Sequence, residues 1–279
     1  MNKKEFKKFF KVHSKNVDNA ESQGFWKLTD AILERIILEN LKRRKKVTIV
    51  DFGGGTGRWF EKLDKYFQDS EFIIVDLSKD MLKQAEKKIK SGRLKNKLSV
   101  INSNIEDIDQ IKSNSVDYIT VPSNPLSFCN KPQLAVKEAF RVLKINGVAL
   151  ITVQGYHNAL FSKVNNYLAS AKELKDIFDT KKVKWNPLVP SLLQLDKDSM
   201  EKMFAKAGFR DVSSRGIACI TQPQLEDFDQ HNLKIGSLSR KLNKDKKFFQ
   251  TLLDIELQLS AVESVANRGM NIVTIGKKY

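Results

Sequence analysis

The chain has 279 residues, of which 41% are hydrophobic, and it carries a formal net charge of +16. This length suits one large α/β domain with a cap or two small domains, and the composition is that of an ordinary globular protein. The two cysteines, Cys129 and Cys219, lie far apart, which argues against a disulfide framework or a zinc cluster. Since no signal-peptide pattern and no membrane-spanning apolar run is visible, we expect a cytoplasmic protein without a metal or a membrane span.

The positive charge has two interpretations. A basic surface can bind nucleic acid or anionic lipid. However, only 10 of the 49 basic residues are arginine, whose flat, bidentate side chain is the usual choice of nucleic-acid readers. The lysines are spread through the whole chain. We therefore interpret the charge as an overall compositional bias rather than as a nucleic-acid surface.

The first 45 residues are predicted to form an N-terminal helical cap. Phe6, Phe9, Phe10 and His13 recur at helical spacing with lysines between them, and a second apolar stripe follows in residues 28–37. The first helix could instead lie on a membrane surface, but its short length favours a cap over the domain. A helix end near the lysines of residues 42–46 is expected, because cations stabilise helix C-termini.

A buried strand followed by a glycine cluster stands at the centre of the sequence. Residues 47–52 form an apolar, β-branched run that is typical of a strand in a parallel sheet. Asp51 precedes the glycines of residues 53–57, and a helical pattern starts at Trp59. This arrangement brings backbone N–H groups and a helix N-terminus to a ligand, although such a turn can also be only structural. The dinucleotide pattern G-x-G-x-x-G does not fit, because Arg58 occupies its third glycine position.

A second buried strand ends in an acid. Residues 71–75 are predicted to form this strand, and Asp76 follows Gly57 by 19 residues. One helix can return the chain over that distance to a neighbouring strand, whose terminal carboxylate can accept from both hydroxyls of a ribose. Ser78 is predicted to cap the next helix.

The remaining strands are predicted at residues 97–101, 115–121, 148–153, 212–220 and 271–277, with helices at 131–143 and 199–209. Tyr156 and His157 follow the fifth strand, at the sheet edge where open α/β sheets bind ligands. The imidazole of His157 could act as a general base, because its ordinary pKa of about 6.5 suits proton transfer near neutrality. Tyr156 could orient the substrate, and either side chain could equally be a solvated or structural loop residue.

Two sequence motifs resemble those of the class I S-adenosylmethionine-dependent methyltransferases, of the small-molecule type. Asp51-Phe52-Gly53-Gly54-Gly55-Thr56-Gly57 resembles the first motif of that family, acid-x-Gly-x-Gly-x-Gly. Arg141-Val142-Leu143-Lys144-Ile145-Asn146-Gly147 keeps five positions of the family's Arg-Val-Leu-Lys-Pro-Gly-Gly. The resemblance covers residues 46–155 well, 197–220 moderately and the last strand weakly.

The resemblance implies a Rossmann-like fold of the class I methyltransferase type. We expect a seven-stranded, mostly parallel sheet with helices on both faces, a last strand inserted antiparallel, and a helical cap. We divide the chain into an N-terminal helical cap (1–45), a cofactor-binding core (46–155), an inserted helical cap (156–196) and the C-terminal part of the core (197–279). The last part contains a helical excursion at 221–262.

The resemblance also implies a site for S-adenosyl-L-methionine, which leaves as S-adenosyl-L-homocysteine. In the family the first acid, here Asp51, holds the ammonium of the cofactor, and the second, here Asp76, holds the ribose. Asn104 stands where the family usually has an aspartate that accepts from the adenine amine. The implied cofactor contacts are Asp51, Gly53, Gly55, Thr56, Gly57, Asp76, Leu77, Asn104, Ile105 and Pro122. Trp26 and Tyr156 are candidate substrate contacts.

The implied function is transfer of a methyl group to an oxygen or nitrogen nucleophile of a small molecule by in-line displacement. Such a reaction depends chiefly on alignment of the reactants and exclusion of water, and it needs a base only where the nucleophile must lose a proton. An RNA or protein methyltransferase is the second hypothesis, and a non-catalytic partner protein with this fold is the third. The substrate and the oligomeric state stay open.

Overall fold

The computed structural model describes residues 3–92, 95–229 and 234–279. Its strands are β1 (Thr48–Phe52), β2 (Glu71–Asp76), β3 (Lys97–Asn102), β4 (Val116–Val121), β5 (Leu143–Gly155), β6 (Lys182–Val183), β7 (Leu192–Leu195), β8 (Arg210–Ile217) and β9 (Asn271–Lys277). The helices are α1 (Lys3–His13), α2 (Gly24–Asn40), α3 (Arg58–Leu63), α4 (Lys79–Lys90), α5 (Pro132–Val142), α6 (Tyr156–Asn165), α7 (Ala171–Thr180), α8 (Lys197–Ala207), α9 (Ser237–Lys244), α10 (Lys246–Ser260) and α11 (Glu263–Ala266). Short 3₁₀ helices lie at Val17–Ser22, Asp64–Tyr66, Pro125–Phe128 and Leu225–Phe228.

The main sheet has the strand order β3-β2-β1-β4-β5-β9-β8. The pairs among β3, β2, β1, β4 and β5 are parallel, whereas β9 lies antiparallel between β5 and β8. The prediction of a seven-stranded, mostly parallel sheet with an antiparallel last strand is therefore confirmed. Since the parallel strands run in the same direction, their carboxyl ends share one edge, where open sheets of this kind bind ligands.

The sheet is buried on both faces because its strands alternate apolar side chains between two cores. Ile49 of β1 packs in one core with α2, α3, α4 and α10, while Val50 and Phe52 pack in the other with α5 and α8. These helices cover the sheet on both sides, as the sequence predicts. None of the helices in the described part of the chain is long and apolar enough to cross a bilayer.

The structure departs from the sequence-based expectations at three places. Strand β5 begins at Leu143, which pairs with Val116 before a register shift, so the strand is longer than predicted. The segment 156–196, expected to be helical, also contains β6 and β7, and β7 pairs with the last two residues of β5. Helix α2 ends at Asn40, before the lysines expected to terminate it.

Candidate active site

The glycine loop between β1 and α3 requires glycine at several positions. Gly53, Gly55 and Gly57 have φ values of 72°, 57° and 76°, which place all three in the left-handed region that side chains disfavour. A Cβ atom on Gly53 would lie 2.3 Å from a side-chain carbon of Pro125, and one on Gly55 would lie 2.7 Å from the methyl group of Met81. The loop is therefore both specially bent and closely approached by its neighbours.

Asp51 is a buried acid without a partner. Both of its carboxylate oxygens lack a hydrogen-bond partner among the described residues. A Cβ atom added to Gly54 would lie 2.8 Å from the carboxylate carbon, so Asp51 lies directly against the loop backbone. Burial, and then the neighbouring Asp76, raise the pKa of Asp51 well above its usual range, and Arg58 opposes this effect. A carboxylate in this state favours a cationic or hydrogen-donating ligand.

Asp76, at the end of β2, lines the cavity and is hydrogen-bonded to the glycine loop. Its Oδ2 accepts from the backbone N–H of Gly55 at 3.1 Å, and its Oδ1 accepts from that of Ser78 at 2.7 Å. Burial raises the pKa of Asp76 to about 6, although both hydrogen bonds act in the opposite direction. Ser78 caps α4 as predicted, since its hydroxyl oxygen accepts from the backbone N–H of Met81.

A cavity of about 1050 Å³ lies at the carboxyl edge of the sheet. The glycine loop, Asp76 and four further predicted cofactor contacts line it together: Leu77, Asn104, Ile105 and Pro122. Ile105 is buried, whereas Asn104 is exposed and its amide oxygen accepts from the backbone N–H of Glu106 at 3.1 Å. Asp51 and Gly57 do not line the cavity themselves; Gly57 precedes α3 as its N-terminal cap.

The part of the cavity beyond the glycine loop has aromatic walls and uncharged polar groups. Gln154 at the end of β5, Asn158 of α6 and Gln194 of β7 contribute amides to it. The aromatic wall residues are Phe9, Phe10, Phe128, Tyr167, Trp185 and Phe228. We call this part the substrate half.

The N-terminal segment forms a roof over the cavity. Phe9 and Phe10 of α1 contact Phe128, with ring centroids 6.3 and 5.2 Å apart, and all three side chains line the cavity. His13, from the same helix, also lines the cavity, and burial, together with Arg58, lowers its pKa to about 4. This histidine is therefore neutral near pH 7. The helical spacing of Phe6, Phe9, Phe10 and His13 indicated a packing face, and only the fold shows which surface it covers.

Polar contacts hold the roof against the glycine loop. The hydroxyl of Thr56 donates to Asp18 at 2.7 Å, and Arg58, at the start of α3, pairs with Glu21 at 3.0 Å and with Asp30. Arg58 is largely buried. Since these partners belong to the N-terminal segment and the loop, closure of the cavity depends on both.

The structure brings Trp26 to the cavity but not Tyr156 or His157. The indole N–H of Trp26 donates to the backbone oxygen of Asp227 at 2.7 Å while its ring lines the cavity. Tyr156 is buried outside the cavity, and its hydroxyl donates to the backbone oxygen of Phe178 at 3.4 Å. His157 is exposed. The reason is helical phase, because α6 starts at Tyr156 and turns other residues of the helix toward the cavity.

Comparisons with known proteins agree with this geometry. Residues 49–147 match the model of a methyltransferase domain family. The chain is 26% identical over 220 residues to a chloroplastic 2-methyl-6-phytyl-1,4-hydroquinone methyltransferase of Spinacia oleracea, covering 77% of this chain and 54% of that protein. The chain thus spans about half the length of the curated relatives it matches.

Solved structures show the same fold at low sequence identity. One is a chain in the complex between the Haloferax volcanii Trm112 methyltransferase activator and a methyltransferase, with a TM-score of 0.56, 15% identity and 96% coverage of both chains. Another is Haemonchus contortus phosphoethanolamine N-methyltransferase 2 in complex with S-adenosyl-L-methionine, with a TM-score of 0.55, 17% identity, and coverage of 92% of this chain and 53% of that one. The sequence match, the sheet order and the glycine loop agree: residues 49–147 match a methyltransferase domain, and the chain has the fold of the class I S-adenosylmethionine-dependent methyltransferases.

Proposed function

We propose that this chain transfers a methyl group from S-adenosyl-L-methionine to an oxygen or nitrogen nucleophile of a small molecule. The observation that carries the proposal is the position of Asp76. Its carboxylate is held by the glycine loop and lines a cavity that also has aromatic walls. One cavity therefore offers adjacent space for a nucleoside and for a second, less polar molecule.

The residues present fit the cofactor. The partnerless carboxylate of Asp51 lies against the loop backbone without lining the cavity itself, so it would balance an ammonium group through a bridging water. Asp76 would accept from the ribose hydroxyls, and Asn104 and Ile105 would meet the adenine. The glycines leave room that side chains would fill. When bound, S-adenosyl-L-methionine supplies a methyl group already activated by a sulfonium.

The chain's own contribution is to align the nucleophile and to exclude water. Alignment of this kind can be worth about 7–11 kcal/mol of the barrier. The roof formed by α1 would limit the access of water through Phe9, Phe10 and Phe128, which line the cavity. We infer that transfer does not use His157, because its side chain is exposed and does not line the cavity.

A small molecule is favoured over RNA or protein as the substrate. The roof and the aromatic walls give the substrate half a largely apolar lining, which suits a small organic molecule better than the phosphate backbone of RNA. The relative from Spinacia oleracea is named for a phytyl hydroquinone substrate, which is also small and largely apolar.

The two cysteines are free, which supports our placement of the enzyme in a reducing cytoplasm.

The proposal is tested by incubating the purified chain with methyl-tritiated S-adenosyl-L-methionine and a panel of phenols, hydroquinones, amines and carboxylic acids. We expect labelled product from a neutral, largely apolar acceptor. In the same assay, His157→Ala should retain turnover within about fivefold, since loss of a general base costs roughly 10²–10⁴-fold. Transfer only to RNA or protein would overturn the small-molecule assignment, and a larger loss in a folded His157→Ala variant would restore its catalytic role.

A further inference from the structure

Three amide side chains lie side by side where the sheet meets the substrate half. Gln154 of β5 is in register with Asn271 of β9 on one side and with Gln194 of β7 on the other. Residues in register on neighbouring strands project from the same face of a sheet. The short pairing of β7 with the end of β5 therefore places Gln154 between two other amides, and all three line the cavity.

Hydrogen bonds fix which way the amide of Gln154 points. The indole N–H of Trp185, which can only donate, reaches the Oε1 of Gln154 at 3.0 Å. The Nε2 of Gln194 donates to the same oxygen at 2.8 Å, and also to the backbone oxygen of Leu192 at 3.1 Å, which can only accept. The indole at one end of this series can only donate, and the backbone oxygen at the other end can only accept. Exchanging the oxygen and nitrogen of either side-chain amide would therefore break hydrogen bonds.

The remaining end of Gln154 is a hydrogen-bond donor without a partner. Its Nε2 has no hydrogen bond to any described residue, and the side chain is half-buried in the cavity wall. Its position is constrained further by the backbone, since the N–H of Gln154 donates to the hydroxyl oxygen of Ser127 at 3.0 Å. Gln194, in contrast, is fully buried and acts only as a support for Gln154.

The charged residues that line the cavity indicate which kind of hydrogen-bond acceptor suits the free amide of Gln154. Among the described residues that line the cavity, Arg58 is the only permanent cation, and Glu21 and Asp30 already pair with it. A carboxylate or phosphate of the substrate would thus find no free counter-charge there, and its burial would be costly. A neutral oxygen needs only a hydrogen bond.

We propose that the side-chain amide of Gln154 donates a hydrogen bond to a neutral oxygen of a largely apolar substrate and thereby selects and positions that substrate. The oxygen belongs to a carbonyl, hydroxyl or ether group. This inference rests on the proposed function for the identification of the substrate half. It makes Gln154 a specificity-determining residue, with Trp185 and Gln194 as positioning residues.

The test uses Gln154→Glu, which keeps an acceptor for Trp185 and Gln194 but replaces the free amide with an acceptor oxygen. The probes are 2-acetylnaphthalene, which carries a neutral oxygen, 2-ethylnaphthalene, which lacks it, and 2-naphthoate, which is an anion. Binding is measured by ligand-observed NMR at about pH 8 with saturating S-adenosyl-L-homocysteine. One net hydrogen bond should make wild type prefer the ketone over the hydrocarbon by roughly two- to twelvefold, and Gln154→Glu should abolish this preference.

Two controls keep the outcome specific. Gln84→Glu makes the same change of charge on α4, away from the cavity, and should keep the preference. Gln154→Met, which removes the polar group, should lose it. An unchanged preference in Gln154→Glu, a wild type that shows no preference or binds neither neutral probe, or tightest binding of 2-naphthoate would overturn the proposal. Failure of wild type to bind S-adenosyl-L-homocysteine would instead count against the proposed function.

Discussion

At the scale of single residues, Asp76 links the glycine loop to the cavity, since its two backbone partners hold the carboxylate at the cavity wall. We predict that Asp76→Ala lowers the affinity for S-adenosyl-L-methionine at least tenfold. The reason is the loss of charge-assisted hydrogen bonds, worth roughly 1.5–3 kcal/mol each. Calorimetric titration of the folded variant measures the change, with Asp80→Ala, in the first turn of α4, as a control outside the cavity. Equal affinities of Asp76→Ala and wild type would refute the assignment.

The raised pKa of Asp76 predicts a pH dependence of cofactor affinity. A carboxylate accepts from ribose hydroxyls best when it is ionised, and in the free protein the pKa of Asp76 is about 6. The contribution of Asp76 to the affinity should therefore be level above about pH 7 and should fall as the pH drops through 6. Titrations between about pH 5 and 8 measure the effect, which should be weaker in Asp76→Asn. An affinity that is constant or rises toward acid pH in wild type would contradict the prediction.

The raised pKa of Asp76 also makes stability depend on pH. The contribution of this group to stability decreases as the pH rises, whereas its contribution to cofactor affinity increases. Burial keeps Asp76 protonated in the folded state at pH values where the unfolded chain has already released the proton, between 3.8 and about 6. The folded state thus binds more protons in this window, and this group's contribution to the free energy of unfolding falls as the pH rises through it.

Residue-scale prediction from sequence succeeded where a short motif dictates local geometry. The glycine loop, Asp76 and the Ser78 cap follow from residue type and spacing, because few other residues satisfy those backbone positions. Gln154 could not be recognised in the same way. Its role depends on the register of three strands that are distant in sequence and on one indole N–H.

At the scale of elements, the buried acid Glu256 of α10 fixes a loop that leads into the cavity wall. Glu256 accepts hydrogen bonds from the backbone N–H groups of Cys219, Ile220 and Thr221 and from the hydroxyl of Thr221. The loop that follows β8 is fixed in this way, and the next residues, beginning at Gln222, line the cavity. A carboxylate on a distant helix therefore positions part of the wall.

We predict that Glu256→Gln lowers the free energy of unfolding by roughly 1–3 kcal/mol, because an amide nitrogen replaces one acceptor and leaves buried N–H groups without a partner. Urea denaturation monitored by circular dichroism measures the loss. Asp254→Asn, on the exposed side of the same helix, makes the same kind of change and should stay within about 0.5 kcal/mol of wild type. If both variants unfold at the same urea concentration as wild type, the support assigned to Glu256 is wrong.

Helices and strands were predicted best where the sequence pattern extends over enough residues to identify them. Strand β9 has the bounds predicted for it, residues 271–277, and α1 contains the helically spaced Phe6, Phe9, Phe10 and His13. Strands β6 and β7 have two and four residues, too few to show an alternation. Strand β7 pairs with the carboxyl end of β5, and β6 pairs with β7. These pairings are tertiary features that the local sequence does not show.

At the scale of the whole molecule, the net charge of +16 bears on the choice between a small-molecule and an RNA substrate. If the lysine excess is compositional, binding to generic RNA should be weak and should vanish by about 0.2 M salt, because counterion release dominates such binding. Fluorescence anisotropy with a labelled tRNA and a labelled duplex, titrated over salt, measures this. Tight binding of one RNA class that persists at about 0.2 M salt would favour the RNA alternative.

The overall architecture could be predicted from the sequence, since the two motifs and the order of strands imply the sheet. The shape of the cavity could not, because the roof, the β6–β7 hairpin and the loop after β8 meet only in the fold. His157 shows the difference: its place in the chain is near the ligand edge, yet the phase of α6 exposes its side chain.

The central claim is that this cavity binds the methyl donor, and calorimetric titration of the purified chain with S-adenosyl-L-methionine tests it most directly. The account predicts a saturable heat signal with one site per chain. It also predicts that S-adenosyl-L-homocysteine competes for that site. A chain that is folded by circular dichroism yet shows no binding of either compound at millimolar concentration would contradict the account.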